Sequence, residues 1–250
     1  MANWTAFAVV AVGVLLVMLV LARLTSDAAR PSETVEGETE QAVDLSELSS
    51  VALLANVAVT QGLFAVVLVG AVVYTGVPLE ALGVEWTAGY VQEGVVLGLA
   101  IGIPLYALNE LGAATATRLG YDHDETLRES LAPSGAGGWG ILLVGVLPVI
   151  AVFEELLFRA ALIGALAVGF DLSPLLLAVV SSIAFALGHG MQGSVGIVVT
   201  GVLGFVLAGA FIATGSLLVV VVAHYVVNAL EFVVHEGVGF DWATVIEEPG

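Results

Sequence analysis

The stretch VFEELLFRAAL (152–162) places three ionisable side chains, Glu154, Glu155 and Arg159, inside an otherwise apolar run. An ionisable group at bilayer depth costs at least about 2.5–3.5 kcal/mol, so such groups are rare and usually functional. Glu155 precedes Arg159 by four residues, the order that favours an ion pair on one helix face. Glu154 is rotated from Glu155 by about 100°. The spacing predicts that Glu155 pairs with Arg159 and leaves Glu154 free, the alternative being that both carboxylates only neutralise the arginine.

Two later apolar runs carry further polar side chains. SSIAFALGHG contains His189, and LLVVVVAHYVVNALEF contains His224 and Asn228. The four-residue interval from Phe185 to His189 places an aromatic ring beneath the imidazole, and His224 and Asn228 share one helix face. An imidazole and a carboxamide one turn apart provide two donors that can converge on an oxyanion. A lone histidine in a helix is usually a packed core residue, but two beside a buried glutamate favour chemistry.

The composition identifies the surroundings of these groups as membrane. Of the 250 residues, 59% are hydrophobic and 11% are charged, whereas a soluble domain carries roughly 25% charged residues. Several apolar runs reach the ~20 residues that cross a bilayer core. We predict an all-α polytopic membrane helix bundle with about seven transmembrane helices (six to eight). The runs lie near 4–24, 51–75, 94–115, 140–168, 173–190, 194–214 and 216–234.

The chain divides by composition into five parts. They are an N-terminal transmembrane helix (1–24), an acidic cytoplasmic linker (25–50), spans two and three with loops (51–138), a membrane core that carries the polar motifs (139–234) and an acidic tail (235–250). A secretory signal normally begins with basic residues, whereas no basic residue precedes the first run of this chain. Arg23 and Arg30 follow it, which favours an N-terminus outside the cell and also puts Arg118 and Arg128 in cytoplasmic loops. We therefore expect a multi-pass protein of the cell membrane.

The charge balance excludes some classes of function. There is no cysteine, so disulfides and thiol nucleophiles are excluded. The net charge is −18, with five arginines and no lysine, which disfavours binding to nucleic acid. Acidic loops stay soluble in concentrated salt, where repulsion is screened. The composition is typical of halophilic proteins, although an ordinary acidic extramembrane surface explains it too.

Helical rise places the polar residues at one depth. The spans before and after Asp171 form an antiparallel hairpin, with Glu154 and His189 each roughly 25 Å from the turn. The turn near Gly215 lies on the same side and starts the last span. His224, and Asn228 one helical turn after it, should lie somewhat nearer to the side of these two turns. The four side chains can therefore converge in the half of the membrane away from these turns, which the arginines mark as cytoplasmic.

Three motifs together resemble a known family. EELLFR (154–159), FALGH (185–189) and HYVVN (224–228) resemble the signatures of the CPBP intramembrane proteases. That family includes type II CAAX prenyl endopeptidases and bacteriocin-processing relatives. The resemblance covers about 139–233. Each motif alone is weak, but three in the right order, each in a membrane span, are specific.

The resemblance implies roles for six residues. Glu154 and His189 would activate a water, Glu155 and Arg159 would support the site, and His224 and Asn228 would stabilise the oxyanion. A carboxylate removed from water can serve as a general base near neutral pH, which agrees with the first role. The implied reaction is hydrolysis of a peptide bond in a membrane-associated substrate, prenylated CAAX-type tails included.

The resemblance leaves the cofactor open. The family is often described as metalloproteases, and Glu154, His189 and His224 offer three zinc ligands with an open position for water. The chain contains no H-E-x-x-H helix, the pattern with ready-made zinc geometry. A metal-free site in which Glu154 and His189 share the water fits the motifs equally well, and we favour it.

The same polar residues are compatible with other functions. Buried acids and histidines also serve proton-coupled transporters, although no inverted repeat is visible. A non-catalytic membrane scaffold and a bacteriocin self-immunity protein of the same family are the remaining alternatives. Further polar residues are expected at helix ends, at the cavity wall or in solvated loops: Asn109, Glu110, His123, Asp124, Glu231 and His235.

Overall fold

The computed structural model describes residues 1–29, 49–120 and 126–240. The helices are α1 (Trp4–Ala29), α2 (Ser50–Thr75), α3 (Ala88–Arg118), α4 (Thr126–Leu131), α5 (Ala136–Phe170), α6 (Pro174–Gly188), α7 (Gly193–Thr214) and α8 (Leu217–Val238). Six helices in this part are long and apolar enough to cross a membrane, and α6 is a shorter apolar helix. No strand occurs in the described ranges. The predicted all-α bundle is confirmed.

Some predicted segments fall outside the described residues. These are most of the acidic linker (30–48), the loop that contains His123 and Asp124, and the end of the tail (241–250). The first helix continues to Ala29, beyond the predicted end of the span at residue 24. The third and fourth spans are also longer than predicted, because apolar periodicity does not register the polar turns that extend a helix past the hydrocarbon core.

The turns at one end of the bundle are as the sequence predicts. Asp171 ends α5 in the left-handed conformation with φ 54°, and Gly215 ends α7 with φ 64°. The Asn3 amide donates to the carbonyl of Thr75 at 2.8 Å, which ties the start of α1 to the end of α2. We call this the Asp171 end of the bundle.

Helix α6 is short for a membrane span. Ser173 caps its first turn and Pro174 begins it, an arrangement suited to a sharp start. It holds 15 residues, about 22 Å of helix, against the ~30 Å of a hydrocarbon core. Its last residue precedes His189, so the polypeptide leaves the helical conformation inside the bundle.

Helix α5 is the central helix of the bundle. Phe153, Leu157 and Phe158 pack against residues of α1 and α2 in one apolar cluster. Within α5, Ile141–Val146 and Leu156–Ala165 are π-helical. Wide turns of this type are rare and are frequently found at functional sites. The sequence gives no sign of them, since their apolar residues fit an ordinary helix equally well.

A stripe of glycines on α3 brings α8 close. Gly94, Gly98 and Gly102 recur every four residues, and a Cβ built on Gly98 would lie 2.5 Å from the Cβ of Val222. Small residues permit this close packing between membrane helices. The stripe therefore fixes the position of α8, which carries His224 and Asn228.

Candidate active site

Glu155 forms the centre of a buried polar cluster. Its Oε1 accepts hydrogen bonds from Nη1 of Arg159 at 2.8 Å and from Nδ1 of His224 at 2.6 Å. The exposed fractions of the three side chains are 0%, 1% and 3%. The predicted pairing of Glu155 with Arg159 is confirmed, and the glutamate also holds the histidine of α8.

Arg159 is surrounded on its other sides as well. Its Nη2 donates to the carbonyl of Gly204 at 2.8 Å, and its guanidinium lies 4.8 Å from the ring centroid of Phe185. A Cβ on Gly204 would come 2.9 Å from the Phe185 ring, so the glycine makes room for both neighbours. The arginine thus links α5 to α6 and α7 beneath the site.

The contact with Glu155 fixes the tautomer of His224. A carboxylate only accepts, so Nδ1 of His224 carries the hydrogen in this bond. Nε2 then faces Oε2 of Glu154 at 3.6 Å. If the ring is neutral, Nε2 presents a lone pair to Oε2 of Glu154. If the ring is doubly protonated, Nε2 presents an N–H donor to the same oxygen. With the ring doubly protonated, the charges of Arg159, His224, Glu154 and Glu155 sum to zero, which suits a buried site.

His189 follows the last turn of α6, with its ring against Phe185. The two ring centroids are 4.5 Å apart, as the four-residue interval predicts. Nδ1 lies 2.8 Å from the carbonyl oxygen of Phe185, which can only accept, so this nitrogen carries a hydrogen. Nε2 of His189 is left for the cavity, where it can accept or donate.

Glu154 is buried but only partly satisfied. It is 6% exposed, and its Oε1 accepts a hydrogen bond from Nε2 of Gln61 at 3.4 Å. Its Oε2 is buried and has no hydrogen-bond partner within the described ranges. Sequence reasoning does not single out Gln61. Its amide inside an apolar membrane span is the sequence feature that could have identified it.

The four predicted catalytic residues line one cavity. Its volume is about 390 Å³, and Glu154, His189, His224 and Asn228 all contribute to its wall. Met18 of α1 also lines it, although α1 lies outside the motif-bearing region. The structure therefore brings together the residues that the three motifs identify.

Some residues expected in loops or at helix ends also line the cavity. Arg128 of α4 lines it, with Nε 2.9 Å from Glu236 and Nη1 3.6 Å from Glu231. Asn109 and Glu231 line it as well. Arg128, predicted for a cytoplasmic loop, thus belongs to the cavity wall.

A second acid–histidine pair is formed by residues of α3 and α8. Nε2 of His235 is 2.8 Å from Oε2 of Glu110, and both side chains are largely buried. The pair joins α3 to the end of α8.

The donors expected for zinc do not form a metal site in this structure. Among the described residues, no three His, Cys, Asp or Glu side chains are grouped so as to hold a metal ion. Nδ1 of His224 and Nδ1 of His189 are both engaged in hydrogen bonds, which leaves Nε2 of each ring as the nitrogen that could bind a ligand. Glu154 and His224 face each other, but within the described ranges no third side chain completes a zinc site with them.

The comparisons with known proteins agree with the motifs. Residues 136–230 match the family model described as type II CAAX prenyl endopeptidase Rce1-like. No curated protein and no solved structure matches the chain. The matched region contains α5, α6 and α7 and most of α8, which carry all four predicted catalytic residues. Residues 136–230 of this multi-pass membrane protein are thus similar to the Rce1-like type II CAAX prenyl endopeptidases, the family that the three motifs resemble.

Proposed function

We propose that this protein is an intramembrane endopeptidase that hydrolyses a peptide bond of a membrane-associated substrate, with prenylated CAAX-type tails as the first class to test. One observation carries the proposal. Oε2 of Glu154 is buried without a hydrogen-bond partner in the described structure, in a cavity shared with His189, His224 and Asn228. A general base needs an oxygen that can accept a proton from water, and the neighbour that the structure gives Oε2 is Nε2 of His224 at 3.6 Å.

The proposed reaction divides among the four residues by the atoms they present. Glu154 takes a proton from a water held with Nε2 of His189, and the water oxygen attacks the scissile carbonyl. The oxyanion receives hydrogen bonds from Nε2–H of a doubly protonated His224 and from the Asn228 amide. Glu154 then passes its proton to the departing amine. No metal takes part in this scheme.

Glu155 and Arg159 support the site in this proposal. The carboxylate of Glu155 keeps the hydrogen on Nδ1 of His224 and compensates its charge. Arg159 fixes the carboxylate in turn. A third group that orients a catalytic imidazole is a recurring device in hydrolases.

We place the protein in the cell membrane with its N-terminus outside and its site in the cytoplasmic half. The support is the distribution of arginines, since Arg23 and Arg118 lie near the ends of α1 and α3 that are remote from the Asp171 end. The net charge of −18 also supports adaptation to concentrated salt.

The test is cleavage of membrane-anchored peptides, prenylated and unprenylated, by purified protein in high salt. We expect wild type to cleave, and Glu154→Gln and His189→Ala to lose at least a hundredfold in kcat, the usual scale of acid–base catalysis. Glu129→Gln, an exposed glutamate of α4, is the matched control and should retain activity. A zinc chelator should have no effect.

Three outcomes would contradict the proposal or its mechanism. Activity abolished by chelation and restored by zinc would make the same residues metal ligands. Undiminished cleavage by folded Glu154→Gln would remove the general base. Failure of folded wild type to cleave any substrate would overturn the peptidase proposal and direct attention to transport, scaffolding or self-immunity.

A further inference from the structure

The contact between Gln61 and Glu154 crosses from α2 to α5. The side-chain amide of Gln61 lies 3.4 Å from Oε1 of Glu154, and the two residues are 93 positions apart. An ionised carboxylate has no hydrogen to donate, so the amide nitrogen must face it. The carbonyl oxygen of Gln61 is consequently turned away from Oε1.

Two acceptors are left without donors by this arrangement. Oε1 of Gln61 and Oε2 of Glu154 are both buried, and neither has a hydrogen-bond partner within the described ranges. Both residues line the same cavity. Buried acceptors are nearly always hydrogen-bonded, so an orphan pair in a reactive cavity calls for an explanation. A water molecule carries two hydrogens and can donate one to each of two acceptors.

We propose that Gln61 is a further catalytic residue, an inference that rests on the proposed peptidase function. Its amide N–H holds Oε1 of Glu154, which directs Oε2 toward the reacting water. Its carbonyl oxygen accepts a hydrogen bond from the second hydrogen of that water. Gln61 lies on α2, outside the region 136–230 that the family model matches.

The proposed step conserves atoms and charge. One O–H bond of the water breaks, and its proton moves to Oε2 of Glu154. The electron pair of that bond stays on the water oxygen, which forms the new bond to the carbonyl carbon. The other hydrogen remains on the oxygen and stays hydrogen-bonded to Oε1 of Gln61, so that in this step Nε2–H of His189 donates to the water oxygen. Because both hydrogens are held, the lone pair of the water is aimed at the carbonyl before attack.

The first variant is Gln61→Met, which keeps the length of the side chain and removes both the donor and the acceptor. We expect kcat to fall about ten- to hundredfold, the scale of a misplaced reacting group, with KM within about twofold. Gln61→Asn keeps the amide at a shorter reach and should recover part of kcat. The matched control is Asn56→Leu, which removes an amide from an exposed position of α2 that is not part of the cavity wall and should leave kcat unchanged.

The outcomes separate this inference from the proposed function. If wild type does not cleave, or Glu154→Gln cleaves normally, the peptidase proposal fails first. If wild type cleaves, Glu154→Gln does not, and Gln61→Met keeps the wild-type kcat, the role of Gln61 is overturned. A raised KM with unchanged kcat would assign Gln61 to substrate packing and would also overturn it. Thermal unfolding and gel filtration in detergent verify that each variant is folded. If Gln61→Met does not fold, Gln61→Asn decides: an intermediate kcat supports the role, and a wild-type kcat overturns it.

Discussion

Replacement of Glu155 separates the stability of the polar cluster from its chemistry. In Glu155→Met, Arg159 is left 1% exposed with the Gly204 carbonyl at 2.8 Å and the face of Phe185 as its remaining contacts. His224 loses the acceptor of its Nδ1–H. Removal of one partner of a buried ion pair costs about 3–5 kcal/mol because the other charge stays buried. At roughly 2–4 °C per kcal/mol for a chain of this size, the melting temperature should fall by about 6–20 °C.

The double variant Glu155→Met with Arg159→Met removes both charges. We expect most of the lost stability to return, since apolar replacement of a buried pair is often neutral. Activity should remain at least a hundredfold below wild type, because His224 still lacks the group that orients it. A mutant that is stable and inactive would thus show that the arginine and the glutamate stabilise each other while the glutamate alone serves the histidine.

The assay combines thermal unfolding in detergent, followed by tryptophan fluorescence, with the cleavage assay above. The matched control is Asp27→Asn, which breaks the exposed pair of Arg23 and Asp27, 3.0 Å apart and also spaced by four residues. That loss should be about 1 kcal/mol or less. If the double variant is as unstable as Glu155→Met alone, the destabilisation does not come from the unpaired charge of Arg159. If the double variant recovers activity, Glu155 is not required to orient His224.

Two further predictions concern close packing. Gly204→Val places a side chain where a Cβ alone would lie 2.9 Å from Phe185 and 3.4 Å from Nη2 of Arg159, so it should lower the melting temperature and reduce kcat through the displaced Phe185. A normal kcat in that variant would contradict the proposed effect of Phe185 on kcat. The control is Gly209→Val, at a glycine with open space around it. Gly98→Leu should force α3 from α8 at Val222 and lower stability by about 1–3 kcal/mol, as over-packing does. An unchanged melting temperature would contradict that packing.

The sequence predicts the parts of the site that depend on helical periodicity. Glu155 with Arg159 and His224 with Asn228 are intervals of four within one helix, and Phe185 with His189 is an interval of four that reaches the residue after the last turn of α6. Each such interval places two side chains on a common face whatever the rest of the chain does. Helical rise also gave Glu154 and His189 a common depth, and both line the cavity.

Contacts between different helices could not be predicted from helical periodicity. The bond from His224 to Glu155 spans 69 positions, and that from Gln61 to Glu154 spans 93. The rotation of each helix about its own axis decides these contacts. In a chain whose helices are apolar on nearly every face, no amphipathic pattern reports that rotation. The π-helical turns of α5 shift the rotation further.

The shortness of α6 has a consequence for the surrounding lipid. An apolar helix of about 22 Å cannot match a hydrocarbon layer of ~30 Å, so the bilayer beside it must thin or the helix must be shielded by its neighbours. The 3₁₀ turn Gly190–Gln192 follows α6 directly, and backbone groups at membrane depth require a wet cavity. We therefore expect acyl-chain length to affect the turn beside His189. Under the proposed hydrolysis, a thicker membrane should oppose entry of the reacting water there and a thinner one should favour it.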